Sequence, residues 1–344
     1  MKVLQKTRPA FGVEFRDVPL PAAPQSGEVV VAVHAACVCG SDLHIYEWTP
    51  GYGFMSAAMP VTLGHEFAGT VAAAGPGVDH LPPGTLIAVR PSVVCGRCLA
   101  CVSGDSDQCS QRKGIGVTRD GAFASHVSVP AANCIVAPAG LDAELVAMTE
   151  PMTVSAEAVD TGEVKAGDRV LVLGPGNIGQ GIALFSRAAG ATQVVIAGKD
   201  DAPRLACLRR MGFADTVDIG ERTLADALAP YLANGNFDVV FEATGVPAVV
   251  QQALHVLRKR GILVICGIHP QPVSVDLTRL VREHQQIRGS YRAPAATWTR
   301  VLEFLHVHAD LARQMITHRL PLDQGREGLE LARSKVASKV VLVP

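Results

Sequence analysis

The sequence predicts an α/β protein of two domains: an irregular, mostly β domain supplied by both ends of the chain, and a doubly wound parallel-sheet domain between them. Three observations carry this. Up to about residue 150, short β-type runs are broken by Gly and Pro. From about residue 165, strand-like and helix-like runs alternate, the pattern of a parallel sheet with helices on both faces. The closing run Lys339-Val340-Val341-Leu342-Val343 is again β-like and is expected to rejoin the first domain. A length of 344 residues suits about two domains.

In chain order, residues 28–34, 67–71 and 86–89 read as strands, with Pro82-Pro83-Gly84 as a turn. Among them lie Val38-Cys39-Gly40-Ser41-Asp42-Leu43-His44 and Gly64-His65-Glu66. A thiolate from Cys39 and an imidazole from His65 are ligands zinc prefers, at roughly 2.3 and 2.0 Å. Glu66 places a carboxylate beside the imidazole, and Glu150 supplies a second far downstream. Three protein ligands and an open position make a catalytic zinc site rather than a structural one. Residues 45–60 read as a loop holding Tyr46, Trp48, Tyr52 and Phe54. It is either pinned by its aromatics or forms a wall of a substrate pocket.

Cys95, Cys98, Cys101 and Cys109 follow at spacings C-x2-C-x2-C-x7-C. Four thiolates this close can close a tetrahedron around one zinc, a site that knits a lobe and does no catalysis. An iron–sulfur cluster is the rival ligand. Zinc is favoured because the fourth Cys stays inside the same small loop. Cys37, Cys134, Cys207 and Cys266 read as small core residues.

The inserted region opens with the β run Val170–Leu173, then Gly174-Pro175-Gly176-Asn177-Ile178-Gly179, a helix-like run through Ala188 and a second strand at Val194–Ile196. Strand, G-x-G-x-x-G, helix and strand in one unit is the dinucleotide-binding fingerprint in its required context. Gly174 makes the tight turn, Gly176 admits the pyrophosphate, and Gly179 lets helix and strand pack. The helix N-terminus at Asn177 and Ile178 then offers free N–H groups to the phosphates. Helices near 204–211, 224–232 and 247–258 alternate with strands at 216–218, 237–242 and 262–265. Further helices are expected near 297–308 and 324–334.

Charge sets limits on partners. A formal net charge of −1 and no Lys/Arg block argue against nucleic acid or an anionic membrane surface. No apolar run approaches the roughly eighteen residues of a membrane span. The N-terminus turns polar at once, and four of nine cysteines are clustered, so metal ligation in the cytoplasm is expected rather than disulfides.

The ordered motifs Cys39–His44 (CGSDLH), Gly64–Gly69 (GHEFAG), Cys95–Cys109, Thr149–Met152 (TEPM) and Gly174–Gln180 resemble those of the zinc-containing medium-chain dehydrogenase/reductases. The polyol (sorbitol-type) and threonine dehydrogenases are the branch the chain is most similar to, over essentially its whole length. The resemblance implies a GroES-like catalytic domain (1–152 and 295–344) with a zinc lobe at about 92–112. It implies a Rossmann-type domain (153–294) and an active site between the two. Carried over by position, Cys39, His65 and Glu150 ligate catalytic zinc, with Glu66 a ligand or close partner of one. Ser41 and His44 match the proton-relay positions, and the four clustered cysteines the structural zinc. The implied reaction is hydride transfer between a secondary alcohol and NAD or NADP, in a homodimer or homotetramer.

Two departures shape the details. The second Rossmann strand ends at Gly198 where NAD enzymes carry an acidic residue, with Lys199 next and Arg204 nearby. Both cations suit a 2′-phosphate and lean the reading slightly to NADP, while Asp200 and Asp201 keep NAD open. Threonine dehydrogenases carry a histidine three residues before the first structural Cys, where this chain has Ser92. That favours a polyol, sugar or hydroxy-acid alcohol as substrate. L-Threonine 3-dehydrogenase is the alternative, and a non-catalytic nucleotide-binding relative the non-enzyme one.

Overall fold

Glu28–Cys37 becomes the central strand of a seven-stranded sheet because its side chains are mostly small and apolar, and seven of the ten are buried. The computed structural model describes all residues, 1–344. They divide into two units, Met1–Glu150 with Pro294–Pro344, and Pro151–Ala293.

In the first unit the sheet runs in the order Cys134–Val136, Leu86–Val89, Glu66–Ala74, Glu28–Cys37, Lys339–Val343 and Ile316–Pro321, with His126–Pro130 also pairing to the central strand. Its core is built from Val29, Val31, Phe67, Ile87, Phe123 and Leu342 with their neighbours. Register matters more than composition here. Cys37 lies opposite Glu66 on one side and Val341 on the other. The final strand therefore runs beside the chain just before Cys39, although three hundred residues separate them in sequence.

The second unit holds six parallel strands: Thr216–Asp218, Gln193–Gly198, Arg169–Leu173, Phe237–Glu242, Leu257–Ile265 and Gln286–Gly289, in that spatial order. Counted along the chain this is 3-2-1-4-5-6, the doubly wound arrangement. The order reverses between the first and fourth strands, and their carboxyl ends mark the crevice where a dinucleotide lies. Leu171, Val195, Leu228, Val240, Leu254 and Leu263 form part of the core on one side of the sheet.

Two local readings differ. The helix expected to reach residue 258 stops at Val256, and Leu257 is already extended. Arg258 pairs with Asp238 on the neighbouring strand, and cross-strand pairing there outcompetes helix continuation. Residues 40–47, read as motif and loop, form the helix Gly40–Glu47, closed by Trp48 in the left-handed region (φ 58°). Its start is explained by Asp42, described below. No helix is long and apolar enough to cross a membrane.

Candidate metal centres and dinucleotide site

The sulfur of Cys39, a ring nitrogen of His65 and a carboxylate oxygen of Glu66 lie within 4.8 Å of one another. Three local structures bring them there. Cys39 is the N-cap of helix Gly40–Glu47, and the Asp42 carboxylate accepts a hydrogen bond from the Cys39 backbone N–H at 2.9 Å. The other oxygen of Asp42 faces Nδ1 of His65 at 3.6 Å. One fully buried carboxylate thus anchors the cysteine's backbone by a hydrogen bond and sets a negative charge beside the histidine's ring, beyond hydrogen-bond distance. Glu66 begins strand Glu66–Ala74, and its Oε2 accepts from the Lys339 ammonium at 2.7 Å. Lys339 also donates to the Val38 carbonyl at 3.0 Å, so it grips both ligand segments.

The electrostatics fit a cation. Burial first, and then the Glu66 charge, push the Cys39 thiol up. Burial disfavours a charged His65, but the Asp42 carboxylate and Cys39 outweigh it and hold the imidazole well above its usual range. Glu150, in the first turn of helix Thr149–Thr161, is lifted by burial to about 7 and feels the charges of His65 and Glu66. Oε1 of Glu66 is buried without a protein partner. A divalent ion here would hold thiol and carboxylates deprotonated and complete the unpaired oxygen. The donor set of S, N and O is that of a catalytic zinc.

The two other expected participants sit beside this cluster. Ser41 Oγ lies 3.2 Å from Nε2 of His65. His44 Nδ1 faces the Thr49 hydroxyl at 3.3 Å, and its ring stacks on Tyr52 at 5.9 Å. Of the aromatic stretch, Tyr46 is buried with its hydroxyl on Glu330 at 2.8 Å, and Trp48 packs against the core. Those two are pinning residues; Phe54 is exposed.

Cys95, Cys98, Cys101 and Cys109 form the second cluster. A tetrahedron of thiolates at roughly 2.3 Å from zinc has edges of about 3.8 Å. The sulfurs of Cys98 and Cys101 are 3.5 Å apart and those of Cys95 and Cys101 4.0 Å, on either side of that edge. Backbone N–H groups of Cys95 and Cys98 point at the sulfurs of Cys109 and Cys95. Hydrogen bonds from the Cys101 and Ser110 backbones draw the Cys98 thiol down to about 6, towards the ligating thiolate.

At the dinucleotide motif, Gly174 has φ 107°, and a Cβ there would sit 2.9 Å from the Ala243 oxygen. A Cβ on Gly179 would be 1.9 Å from the Gly174 carbonyl oxygen. Gly176 caps helix Asn177–Ala188 and has open space, the nearest atom to its missing Cβ being Arg204 Nη1 at 4.0 Å. Gly198 ends its strand, and a Cβ there would meet Pro175 Cγ at 2.7 Å. The absence of an acidic side chain at 198 is therefore tied to Pro175 in the glycine loop. Lys199 lies 3.6 Å from Glu221, and Arg204 3.7 Å from Asp201.

Sequence reasoning quoted Asp42 and Lys339 without giving either a role at the site. The signals existed: an acidic residue three after a helix start is half of a capping box. A lysine opening an apolar strand needs a partner if buried. Breaking a buried ion pair on one side strands the other charge, at a cost of about 3–5 kcal/mol. Lys339→Met should lose about that much in urea denaturation of metal-stripped protein, and adding Glu66→Gln should recover part of it.

Residues 25–139 match the alcohol dehydrogenase GroES-like domain and residues 177–306 the zinc-binding dehydrogenase domain. An L-threonine 3-dehydrogenase of Bacillus subtilis is 33% identical over 100% of this chain and 99% of its own. A sorbitol dehydrogenase of Halalkalibacterium halodurans is 31% identical, with 100% and 99% covered. A Sinorhizobium meliloti structure, described as that of a zinc-binding dehydrogenase bound to NADP, superposes with a TM-score of 0.84. It is 30% identical, with both chains covered in full. The chain belongs to the zinc-binding, NAD(P)-dependent alcohol dehydrogenase family, with a GroES-like and a Rossmann-type domain.

Proposed function

We propose that this dehydrogenase acts on a secondary alcohol of polyol, sugar or hydroxy-acid type, with Cys39, His65, Glu66 and Glu150 as the residues that hold its catalytic zinc. The buried thiol–imidazole–carboxylate cluster within 4.8 Å, in one chain with a 3-2-1-4-5-6 sheet, carries this reading. When bound, zinc supplies Lewis-acid polarisation of the alcohol oxygen and the nicotinamide supplies the two-electron acceptor. The chain's own residues do the rest. Asp42 sets a negative charge beside His65, and Lys339 keeps one oxygen of Glu66 engaged. Ser41, with its hydroxyl at the cluster, takes the alcohol proton, and His44 passes it towards water. The Cys95–Cys109 quartet holds a structural zinc.

Ser92, in place of a histidine, supports a polyol-type substrate over an amino acid. L-Threonine is the second reading, favoured by the threonine-enzyme name of the 33% identical relative. Lys199 and Arg204, with no side chain at Gly198, support a slight preference for NADP. Nine free cysteines suit a reducing, cytoplasmic location. The edge strand Gln286–Gly289, with exposed Leu277 and Val281 on the preceding helix, supports pairing of two copies into a homodimer or tetramer.

Three outcomes follow. The zinc-loaded enzyme should reduce nicotinamide with a polyol or sugar acid, and faster with NADP than NAD; turnover of threonine alone would establish the second reading. Cys39→Ser should lower kcat by at least about a thousandfold with an unchanged circular dichroism spectrum; wild-type activity would break the metal assignment. Light scattering should give the mass of two or four chains, and a monomer mass would overturn the edge-strand pairing.

A further inference from the structure

Glu242 closes the fourth parallel strand with no solvent exposure. Its Oε1 already takes the Thr244 N–H at 2.7 Å, the Gly245 N–H at 3.0 Å and the Thr244 hydroxyl. Its Oε2 lies 3.1 Å from Nε2 of His269, a ring only 12% exposed. The turn is built around this pair. A Cβ on Gly267 would fall 2.5 Å from Glu242 Oε2, and one on Gly245 2.7 Å from the Ile268 carbonyl oxygen. The same turn abuts the glycine loop, since a Cβ on Gly174 would touch Ala243 and Thr244.

Place decides what the histidine can do. A doubly wound sheet comprises two mononucleotide-binding halves. The glycine motif and Gly198 belong to the first and so to the adenosine side. Glu242 and His269 stand at the carboxyl ends of the fourth and fifth strands, the other half, beside the switch point. Oε2 of Glu242 and both ring nitrogens of His269 are buried with no hydrogen-bond partner in the protein, Nε2 lying 3.1 Å from Oε2 at ion-pair distance. With Nε2 turned to the carboxylate, Nδ1 is the ring atom left to meet a ligand. Buried acceptors are rarely left unpaired unless a ligand or water completes them.

We propose that His269, held by Glu242, is a binding residue for the nicotinamide half of the dinucleotide: its Nδ1 accepts a hydrogen bond from a ribose hydroxyl or the carboxamide NH2. The inference rests on the dinucleotide-binding reading above and adds a residue the family motifs do not mark.

The test is equilibrium binding, by calorimetry on the zinc-loaded enzyme, of NADH, NADPH, ADP-ribose and ADP. Wild type is compared with His269→Leu and His269→Asn. His269→Leu should weaken dinucleotide binding about tenfold, the size of one hydrogen bond, and leave ADP unchanged. A matching loss with ADP-ribose assigns the contact to the ribose, and its absence to the carboxamide. His269→Asn, whose side-chain oxygen stands near the Nδ1 position, should recover most of the affinity. Unchanged NADH and NADPH affinity in His269→Leu overturns the proposal, as does an equal loss with ADP, which marks a structural effect. Wild type that binds neither ADP nor dinucleotide overturns the nucleotide-binding reading itself.

Discussion

A single buried ammonium ties together the segments that carry Cys39 and Glu66. Lys339 is 3% exposed, and it bonds both Glu66 and the carbonyl of Val38, one residue before Cys39. Burying an ion pair is expensive unless its remaining valences are satisfied. Here the lysine gains two acceptors, and the glutamate's second oxygen is left facing a thiol and an imidazole. Sheet register makes this possible, because Lys339–Val343 pairs along Cys37 and Ala36. The C-terminal strand thus borders the Cys39–His65–Glu66 cluster.

A second constraint is the helix cap. Asp42 serves the backbone of Cys39 and the ring of His65 together. Ordinary helix capping places the thiol at a helix N-terminus, while burial and the Glu66 charge still push it up. Local structure and metal chemistry share the same residue, which is why the short segment 39–44 carries so much of the site. The cysteine lobe works differently. It has little apolar core of its own: Leu99 and Val102 are exposed, and four sulfurs converge instead. A zinc held as proposed by the four cysteines would organise such a segment.

What the sequence made legible follows from how local each signal was. The alternation from Arg169 to Gly289 is written in period and punctuation, so strands and helices fell close to where they were expected. The four cysteines and the glycine motif are short-range patterns with a definite chemistry. Lys339, the Glu242–His269 pair and the Pro175–Gly198 contact are long-range pairings. Nothing in a linear reading says that residue 339 meets residue 66, or that a glycine at 198 answers a proline at 175. The helix Gly40–Glu47 is short and lacks a clear apolar period, so its start is set by the Asp42 cap rather than by a pattern along the sequence.

The central claim is that two clusters in one unit hold zinc in two different chemistries. Anomalous diffraction from crystals of the purified enzyme at the zinc edge tests it directly. The account predicts one peak about 2.3 Å from all four sulfurs of Cys95, Cys98, Cys101 and Cys109. It predicts a second bonded to Cys39 and His65, with a carboxylate from Glu66 or Glu150 beside it. A peak at the quartet with none at Cys39 and His65, in enzyme that turns over an alcohol, would contradict it.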